Sequence, residues 1–247
     1  MICIKTGVAD MKSFRLDCSP EFVRAAVDRC NAILDGKKKI DIFGAARVDP
    51  NVPVEETVRA LGQMVDEGKI GGIQLSEVSA DTIRRANKVH KIEMVEAEVS
   101  LWATEIFTNG VYDTCKELGI VVCGHTPLAA GMLTGQIKSI EDLPADDHHR
   151  HFPRYQPENF SKNLELVAEI EKIAKEKGCT AAQLALSWIK RMGVVPVAGA
   201  RSVERIQENS ETVELTEKDL EAIEGILKSF PIQGTRYPAR AMKLAEY

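Results

Sequence analysis

Residues 70–98 read IGGIQLSEVSADTIRRANKVHKIEMVEAE, and this stretch decides the fold class. A β-prone run at 70–75 is followed by a helical pattern at 79–88 and by a second β-prone run at 92–98. Two strands separated by a helix of this length pair in parallel, because a parallel neighbour can be reached only through a long crossover. The stretch therefore predicts one β/α/β unit of a parallel sheet.

The same alternation continues on both sides of this unit. Further β-prone runs lie at 2–5, 40–43, 120–125 and 194–197, and further helical patterns lie at 19–33, 53–67, 109–118, 164–177, 180–192 and 202–209. A last helix begins at Thr216, which stands three residues before Asp219 at capping-box spacing. The chain therefore contains about six predicted β/α units.

Two architectures accommodate this alternation, a doubly wound open sheet and a (β/α)8 barrel. No G-x-G-x-x-G follows the first strand, which counts against a dinucleotide-binding open sheet. The unusual residues fall where predicted strands end, as in barrel enzymes; they are Lys5, Ala46, Arg47, Ser76, Glu77, Glu96, His125 and 199–201. We predict an α/β fold, a (β/α)8 TIM barrel in one domain over residues 1–247. With six units instead of eight, we expect the first two, on the order of 60 residues, to be missing at the amino end.

The composition is that of an ordinary folded protein. The chain has 247 residues, with 32 basic and 37 acidic residues, a formal net charge of -5 and 44% hydrophobic residues. It lacks the long apolar run of a membrane span and the basic block of a nucleic-acid-binding protein, so we expect neither partner. The six cysteines form no C-x-x-C pair, which indicates free thiols in a reducing compartment. We predict a cytoplasmic protein, with the nucleus as a second candidate location.

Four strings of sequence resemble the aldo-keto reductase family, and they occur in the family's order. They are IDIFGAARVDP at 40–50 with PVEET at 53–57, GKIGGIQLSE at 68–77, GIVVCGHTPLAAGMLTG at 119–135, and GARSVER at 199–205. Shorter strings at 46–50, 69–72, 100–102 and 234–237 resemble one branch, the fungal pyridoxal reductases. The resemblance implies NADPH-dependent reduction of a small aldehyde, with pyridoxal reduced to pyridoxine in that branch.

The resemblance also implies catalytic roles. The family protonates the carbonyl oxygen with a tyrosine whose pKa is lowered by a lysine; an aspartate pairs with that lysine, and a histidine often orients the carbonyl. Lys5 matches the lysine, although a lysine that ends a strand is otherwise a solvated side chain. Ala46 stands at the histidine position, and Arg47 and Trp102 fall with it at substrate positions. The tyrosine and the aspartate have no match in the chain, and we expect them upstream of Met1.

One segment is similar to the family's grip on the adenosine half of NADPH. Arg201, Ser202 and Arg205 match the residues that bind the 2′-phosphate at a helix start, where free backbone N–H groups also favour an anion. The remaining matches in this segment are Gly199, with Glu208 and Asn209 at the adenine. The alternative is an ordinary capped helix with solvated charges, because serine is a good N-cap in any case.

Other positions match the nicotinamide half of the cofactor. Ser76, Glu77 and Glu96 match residues that hydrogen-bond the carboxamide, and the alternative for the first two is a strand-end turn. His125 replaces a tyrosine that stacks on the nicotinamide ring, and a structural histidine is an equal alternative. The loop that wraps the pyrophosphate is represented by Thr126, Leu128 and Gly131.

The run DDHHRH at 146–151 raises the question of a metal site. Ligands adjacent in sequence rarely converge on a metal ion, and the surrounding sequence resembles the family's mobile lid, so we predict no metal and a lid loop at about 128–162. Two classes of function stay open. The first is a reductase of a small-molecule aldehyde, and the second is a catalytically impaired relative that binds the cofactor or a partner, including a truncated product.

Overall fold

The computed structural model describes residues 1–10, 13 and 15–246. The strands are β1 (Cys3–Thr6), β2 (Val8–Asp10), β3 (Arg15–Leu16), β4 (Ile42–Ala45), β5 (Ile73–Ser76), β6 (Met94–Glu98), β7 (Val121–His125) and β8 (Val195–Val197). The helices are α1 (Pro20–Leu34), α2 (Val54–Asp66), α3 (Ala80–Val89), α4 (Val111–Leu118), α5 (Pro157–Glu176), α6 (Ala181–Arg191), α7 (Val203–Ser210), α8 (Glu217–Ser229) and α9 (Ala239–Met242).

Six of these strands form one sheet in the order β1-β4-β5-β6-β7-β8. The pairs β1–β4, β4–β5 and β5–β6 are parallel, with Lys5 opposite Gly44 and Ser76 opposite Glu96. Helices α1 to α4 follow one another between these strands, as crossover connections require. The predicted parallel sheet with crossover helices is confirmed, and each of the six predicted strands is present with its start shifted by one to three residues.

The helices begin where their capping residues predict. Ser19 Oγ accepts a hydrogen bond from the backbone N–H of Phe22, and Pro20 occupies the first turn of α1. Thr216 and Asp219 form the predicted capping box at α8, and Thr180 forms another at α6 with Gln183. Each box satisfies two backbone N–H groups that a helix start otherwise leaves without partners.

The chain forms two compact units. Unit 1 comprises the described residues of Met1–Ala97, Glu105–Cys123 and Leu244–Tyr247, and unit 2 comprises Glu98–Thr104 and Gly124–Lys243. Apolar side chains at most 1% exposed fill the core of unit 1, among them Ile40, Phe43, Leu61, Ile73, Leu75 and Ile83. Those of unit 2 include Leu101, Met132, Leu133, Ile170, Leu184 and Ile189. A single domain over residues 1–247 stays a prediction.

The structure departs from the sequence predictions in three segments. Helix α5 begins at Pro157 rather than at 164, because the proline and Glu158 make a favourable first turn. The predicted lid loop at 128–162 therefore ends at 156, and it contains four short 3-10 helices, at 129–134, 140–142, 148–151 and 153–155. The short antiparallel pair β2–β3 and helix α9 were not predicted.

No helix in the described part of the chain has both the length and the apolarity that crossing a membrane demands.

Candidate functional site

Four residues that the sequence assigned to the site gather at strand ends in unit 1. Lys5 lies near the end of β1, Ser76 ends β5, Glu77 follows it, and Glu96 lies in β6. We call these four residues the strand-end cluster. The carboxyl ends of parallel strands meet at one edge of a sheet, which is where barrel enzymes place their chemistry. Ser76 lies in direct register with Glu96 in the β5–β6 pair, and the carboxamide role assigned to both stays a prediction.

An ion pair joins Lys5 to Glu96 across the sheet. Strands β4 and β5 lie between β1 and β6, so flat geometry would separate the two backbones by three spacings of roughly 4.8 Å each. The contact therefore requires a strongly curled sheet in unit 1. The side chains are 31% and 14% exposed, so the charges are only partly solvated. Sequence reasoning assigned the two residues separate roles and missed this pairing.

Ser76 and Glu77 are buried at the end of β5, each 1% exposed. The hydroxyl oxygen of Ser76 has no hydrogen-bond partner, which is costly for a buried polar group. The backbone of Glu77 has a φ of 56°, a left-handed conformation that a residue with a side chain rarely adopts, and its N–H donates to the carbonyl of Glu96 at 2.9 Å. Such unsatisfied groups and strained backbone cluster at ligand sites.

The predicted substrate residues Ala46 and Arg47 follow strand β4. Both are half-buried, and the guanidinium of Arg47 donates to the carbonyl oxygen of Ala46 at 2.6 Å. The N–H of Ala46 continues the β1–β4 ladder by donating to the carbonyl of Thr6 at 2.8 Å. An alanine here offers no polar group to a substrate, so any polar recognition at this strand end falls to Arg47.

Unit 2 contains a large cleft, which we call the nucleotide cleft. Its volume is about 910 Å³, and seven of the predicted cofactor residues line it: Thr126, Leu128, Gly131, Gly199, Arg201, Arg205 and Asn209. A cleft of this size accommodates a molecule as large as a dinucleotide fragment. Two segments that are distant in sequence, 126–134 and 197–209, thus form its walls together with His149.

The basic end of the nucleotide cleft lies at the start of α7. Ser202 caps the helix by accepting a hydrogen bond from the N–H of Arg205 at 3.3 Å. The guanidinium of Arg205 donates to Glu208 at 2.9 Å and to Gln136 at 2.7 Å, which holds it in place. Arg201 is exposed and makes no ion pair with another described residue. Glu208 therefore orients an arginine, a contact that its predicted adenine role did not include.

Two observations at the nucleotide cleft fit a purine nucleotide. The side-chain oxygen of Asn209 is buried without a hydrogen-bond partner, and the amino group of an adenine is a donor that could satisfy it. A Cβ added at Gly199 would meet no protein atom within 4 Å, so the glycine leaves open space in the cleft wall. The residues present thus suit a nucleotide carrying phosphate groups near Arg201 and its base near Asn209.

The loop after β7 has an unusual backbone. Thr126, Ala129 and Ala130 have φ values of 53°, 48° and 52°, and Gly131 has a φ of 97°. The first three adopt a left-handed conformation that costs on the order of 1 kcal/mol or more for a residue with a Cβ. This strained stretch lines the nucleotide cleft at the predicted pyrophosphate loop. The backbone N–H groups of Ala129 and Gly131 donate to the carbonyls of Thr126 and Leu128, which holds the turn.

His125 ends β7 beside this loop. The ring is half-buried, and its Nδ1 lies 2.9 Å from the hydroxyl oxygen of Thr126. It does not line the nucleotide cleft. The hydrogen bond suits a structural histidine, and it also fixes the plane of the ring, so the two alternatives stay open.

Trp102 and Tyr155 are buried together in unit 2. Their ring centroids are 6.1 Å apart, and the phenol of Tyr155 donates to the carbonyl of Ala129 at 3.2 Å. Burial, reinforced by the Glu98 carboxylate, raises the pKa of Tyr155 above its ordinary value. The direction of this shift is opposite to the lowered pKa that the family resemblance implies for the proton-donating tyrosine.

The predicted lid carries one cluster with metal-ligating side chains. Asp147, His148 and His149 have ligand atoms within 4.8 Å of one another, the one such group found among the described residues. The Oδ1 of Asp147 already accepts hydrogen bonds from the backbone N–H of His149 at 2.8 Å and from its ring at 2.7 Å. This arrangement is a helix cap at 147–149, and a site without metal stays our prediction.

Unit 2 contains a cluster of three buried charged side chains that the sequence did not predict. Glu98, Arg154 and Arg236 lie together in unit 2, and each is at most 7% exposed. Arg154 belongs to the string PRYQPENF, and Arg236 belongs to GTRY, both of which resemble the family. Each of these two strings contains one arginine, which is a signal that could have pointed to a site. The local sequence does not predict that the two arginines lie near Glu98.

Comparison with known proteins identifies the family of the chain. Residues 1–228 match the aldo/keto reductase family. A protein of Schizosaccharomyces pombe named "Probable pyridoxal reductase 2" is 35% identical over 240 residues, which cover 94% of this chain and 72% of that protein. A protein of Glycine max named "Probable aldo-keto reductase 1" is 38% identical over 242 residues, covering 96% of this chain and 69% of that protein.

Solved structures share the fold. The glycerol dehydrogenase of Gluconobacter oxydans superposes with a TM-score of 0.81 over 89% of this chain and 68% of that one, at 24% identity. A thermostable aldo-keto reductase gives a TM-score of 0.68 over 85% of this chain and 67% of that one, at 19% identity. The predicted barrel of aldo-keto reductase type is thereby confirmed as the fold class. The chain belongs to the aldo/keto reductase family, a family of oxidoreductases.

Proposed function

We propose that this protein is an NADPH-dependent reductase of a small aldehyde, with pyridoxal as the first substrate to test. The observation that carries the proposal is the nucleotide cleft, which combines Arg201 and Arg205 at a helix start with the unsatisfied oxygen of Asn209. The similarity to "Probable pyridoxal reductase 2" supports the choice of pyridoxal. Reduction of pyridoxal would give pyridoxine.

The cleft residues supply binding in this proposal. Arg201 and the capped start of α7 bind the adenosine 2′-phosphate through charge and backbone N–H groups, and Arg205 is held beside them by Glu208. Asn209 accepts a hydrogen bond from the adenine. The strained loop at 126–131 wraps the pyrophosphate, with Leu128 among its residues. NADPH, when bound, supplies the hydride for carbonyl reduction.

The strand-end cluster supplies positive charge and hydrogen bonds. Negative charge develops on the carbonyl oxygen during reduction, and the ammonium of Lys5 is the cation at this strand end that can stabilise it. In the protein without substrate, Glu96 is the ion-pair partner of that ammonium. The unsatisfied hydroxyl of Ser76 is available to hydrogen-bond the carboxamide of the nicotinamide, beside Glu77.

Pyridoxal-dependent oxidation of NADPH tests the proposal. We expect consumption of NADPH with formation of pyridoxine, identified by chromatography, and a loss of about 100-fold or more in kcat for Lys5→Met. Lys37→Met is a matched control, because Lys37 is an exposed lysine whose ion pair among the described residues is with Asp35. Binding of NADPH without any pyridoxal-dependent consumption would contradict the reductase proposal.

One observation favours a second candidate, a protein that binds NADPH without turnover. Lys5 already has a carboxylate partner in Glu96, and a lysine neutralised in this way has less charge to offer a reacting oxygen. The two candidates differ in the response to Glu96→Gln. A reductase that uses Lys5 keeps or raises its turnover when the competing carboxylate is removed, whereas a binding protein shows no turnover in either form.

A further inference from the structure

A second cavity of unit 2 has a composition unlike that of the nucleotide cleft. Its volume is about 50 Å³, and its walls include three charged and two aromatic side chains that are nearly fully buried: Glu98, Trp102, Arg154, Tyr155 and Arg236. We call this cavity the arginine pocket. Given about 15 Å³ for each water, it has room for about three waters or for one carboxylate-sized group.

Positively charged side chains line the arginine pocket. Glu98, Arg154 and Arg236 are the acidic and basic residues, histidine apart, among its lining residues, so one carboxylate faces two guanidinium groups. The guanidinium nitrogens lie 3.8 Å and 3.5 Å from the two oxygens of Glu98. An anionic oxygen that enters the pocket would face the same two guanidinium groups, and arginine recognises such an oxygen through charge-assisted hydrogen bonds.

Trp102 provides an independent indication of a ligand. The side chain is 3% exposed, and its indole N–H is buried without a hydrogen-bond partner. An indole nitrogen can only donate, so the missing partner must be a hydrogen-bond acceptor. The two lining arginines and the unsatisfied donor thus favour the same chemistry, an anionic oxygen.

The position of the pocket relates it to the nucleotide cleft. Thr126, Ala130 and His149 line both cavities, so they form a shared wall within unit 2. A molecule that places a group in the arginine pocket would therefore lie next to a nucleotide bound in the nucleotide cleft. In a reductase that molecule is the substrate.

We propose that the arginine pocket binds an anionic oxygen substituent of the aldehyde substrate, a carboxylate or a phenolate, and so selects anionic aldehydes over neutral ones. The proposal rests on the proposed reductase function for the identity of the bound molecule. The pocket itself is defined by Trp102, Arg154 and Arg236, and its preference for an anion can be measured without any turnover.

The indole resonance of Trp102 reports directly on the pocket. The chain has two tryptophans, Trp102 and Trp188, so a ¹⁵N-labelled sample gives two indole N–H signals, and Trp102→Phe identifies the first by its loss. Titration with benzoate is expected to move the Trp102 signal downfield in a saturable manner, because the N–H gains an acceptor. Benzamide, a neutral molecule of nearly the same shape, should move it much less. No shift with benzoate, or an equal shift with benzamide, would overturn the proposal.

Substrate selectivity tests whether the bound anion belongs to the aldehyde. With NADPH, we expect kcat/KM for 4-carboxybenzaldehyde to exceed that for its methyl ester by about tenfold or more, mainly through KM. Trp102→Phe and Arg236→Gln should reduce this ratio, and Trp188→Phe, a matched control elsewhere in unit 2, should leave it unchanged. Phenylalanine keeps an aromatic ring at 102 and removes the indole N–H without leaving a buried charge unpaired, so that variant keeps the test valid even where the arginine variant fails to fold.

The two experiments fail independently. A benzoate shift without turnover of any aldehyde would contradict the proposed reductase function while supporting an anion pocket. Turnover with equal kcat/KM for the acid and the ester would overturn the pocket's role in substrate selection, even if benzoate binds.

Discussion

Replacing Asn209 by alanine separates cofactor binding from stability, because the two effects have opposite signs. The side-chain oxygen of Asn209 is buried without a partner in the nucleotide cleft. A hydrogen bond contributes about 0.5–1.5 kcal/mol net, so losing one to the adenine should raise the Kd for NADPH about 2- to 13-fold. In the protein alone, the same change removes an unsatisfied acceptor and places a better helix former in α7.

The stability effect is therefore neutral or favourable. An unsatisfied buried polar group costs about 1–3 kcal/mol, and each 1 kcal/mol shifts Tm by about 2–4 °C in a chain of this length. We expect the Tm of Asn209→Ala, without nucleotide, to be equal to or a few degrees above that of the parent protein. Fluorescence titration with NADPH and thermal unfolding measure the two quantities on the same samples.

The control for this experiment lies on the same helix. Gln207 is exposed in α7. Gln207→Ala should leave the Kd for NADPH unchanged, and it should shift Tm by no more than the difference in helix propensity between glutamine and alanine. The reasoning is refuted if Asn209→Ala lowers Tm and leaves the affinity for NADPH unchanged, since the oxygen would then be satisfied within the protein.

Three further predictions concern stability and reactivity. Hydrogen bonds from Lys177, and from Thr216, lower the pKa of Asp219 to about 2, so Asp219→Asn should lose stability at neutral pH by an amount that disappears as pH falls from about 4 to below 2. Glu96→Gln should lower the free energy of unfolding by about 0.2–1 kcal/mol through loss of the Lys5 ion pair, as measured by urea unfolding. Burial raises the pKa of three thiols to about 11 or 12, so they should react with a disulfide reagent only after unfolding; they are Cys18, Cys115 and Cys123.

Each of these predictions has a result that contradicts it. The carboxyl of Asp219 has a lower pKa in the folded state than its unfolded value of 3.8, so its ionised form stabilises the folded protein above pH 3.8. That stabilisation is lost as the pH falls through about 2, the folded pKa. A loss of stability in Asp219→Asn that does not depend on pH would contradict the prediction. The Glu96 effect should shrink in high salt, and a larger effect there would rule out an ion pair. Labelling of the buried thiols as fast as that of the exposed Cys3 would show that the core opens readily.

The parallel sheet could be predicted because its strands are short apolar runs with clear boundaries. Ile73 and Leu75 are fully buried on β5, and two glycines precede them in the sequence. The start of α5 could not be found by apolar periodicity, since residues 157–163 contain few apolar side chains. Its true signals are the proline at 157 and the acidic residue after it, which are weaker than a hydrophobic face.

Part of the candidate site could likewise be predicted from the sequence, and part could not. The strand-end residues and the cleft residues follow from local strings, because each string occupies one strand end or one helix start. The contacts between distant segments do not follow from any local pattern: Lys5 meets Glu96 across 91 positions, and Arg236 meets Glu98 across 138. Such pairs depend on how far the sheet curls and where the terminal segments pack, and neither is encoded in the spacing of residues along the chain.

The most direct test of the central claim compares the affinities of the nucleotide cleft for NADPH and NADH, which differ only in the 2′-phosphate. The account predicts that NADPH binds more tightly, by about tenfold or more for a phosphate contacted by an arginine, and that Arg201→Ala abolishes most of the difference. Equal affinities for the two nucleotides would contradict the claim that the cleft binds the 2′-phosphate. A preference for NADPH that persists in the double variant Arg201→Ala/Arg205→Ala would contradict the roles of the two arginines.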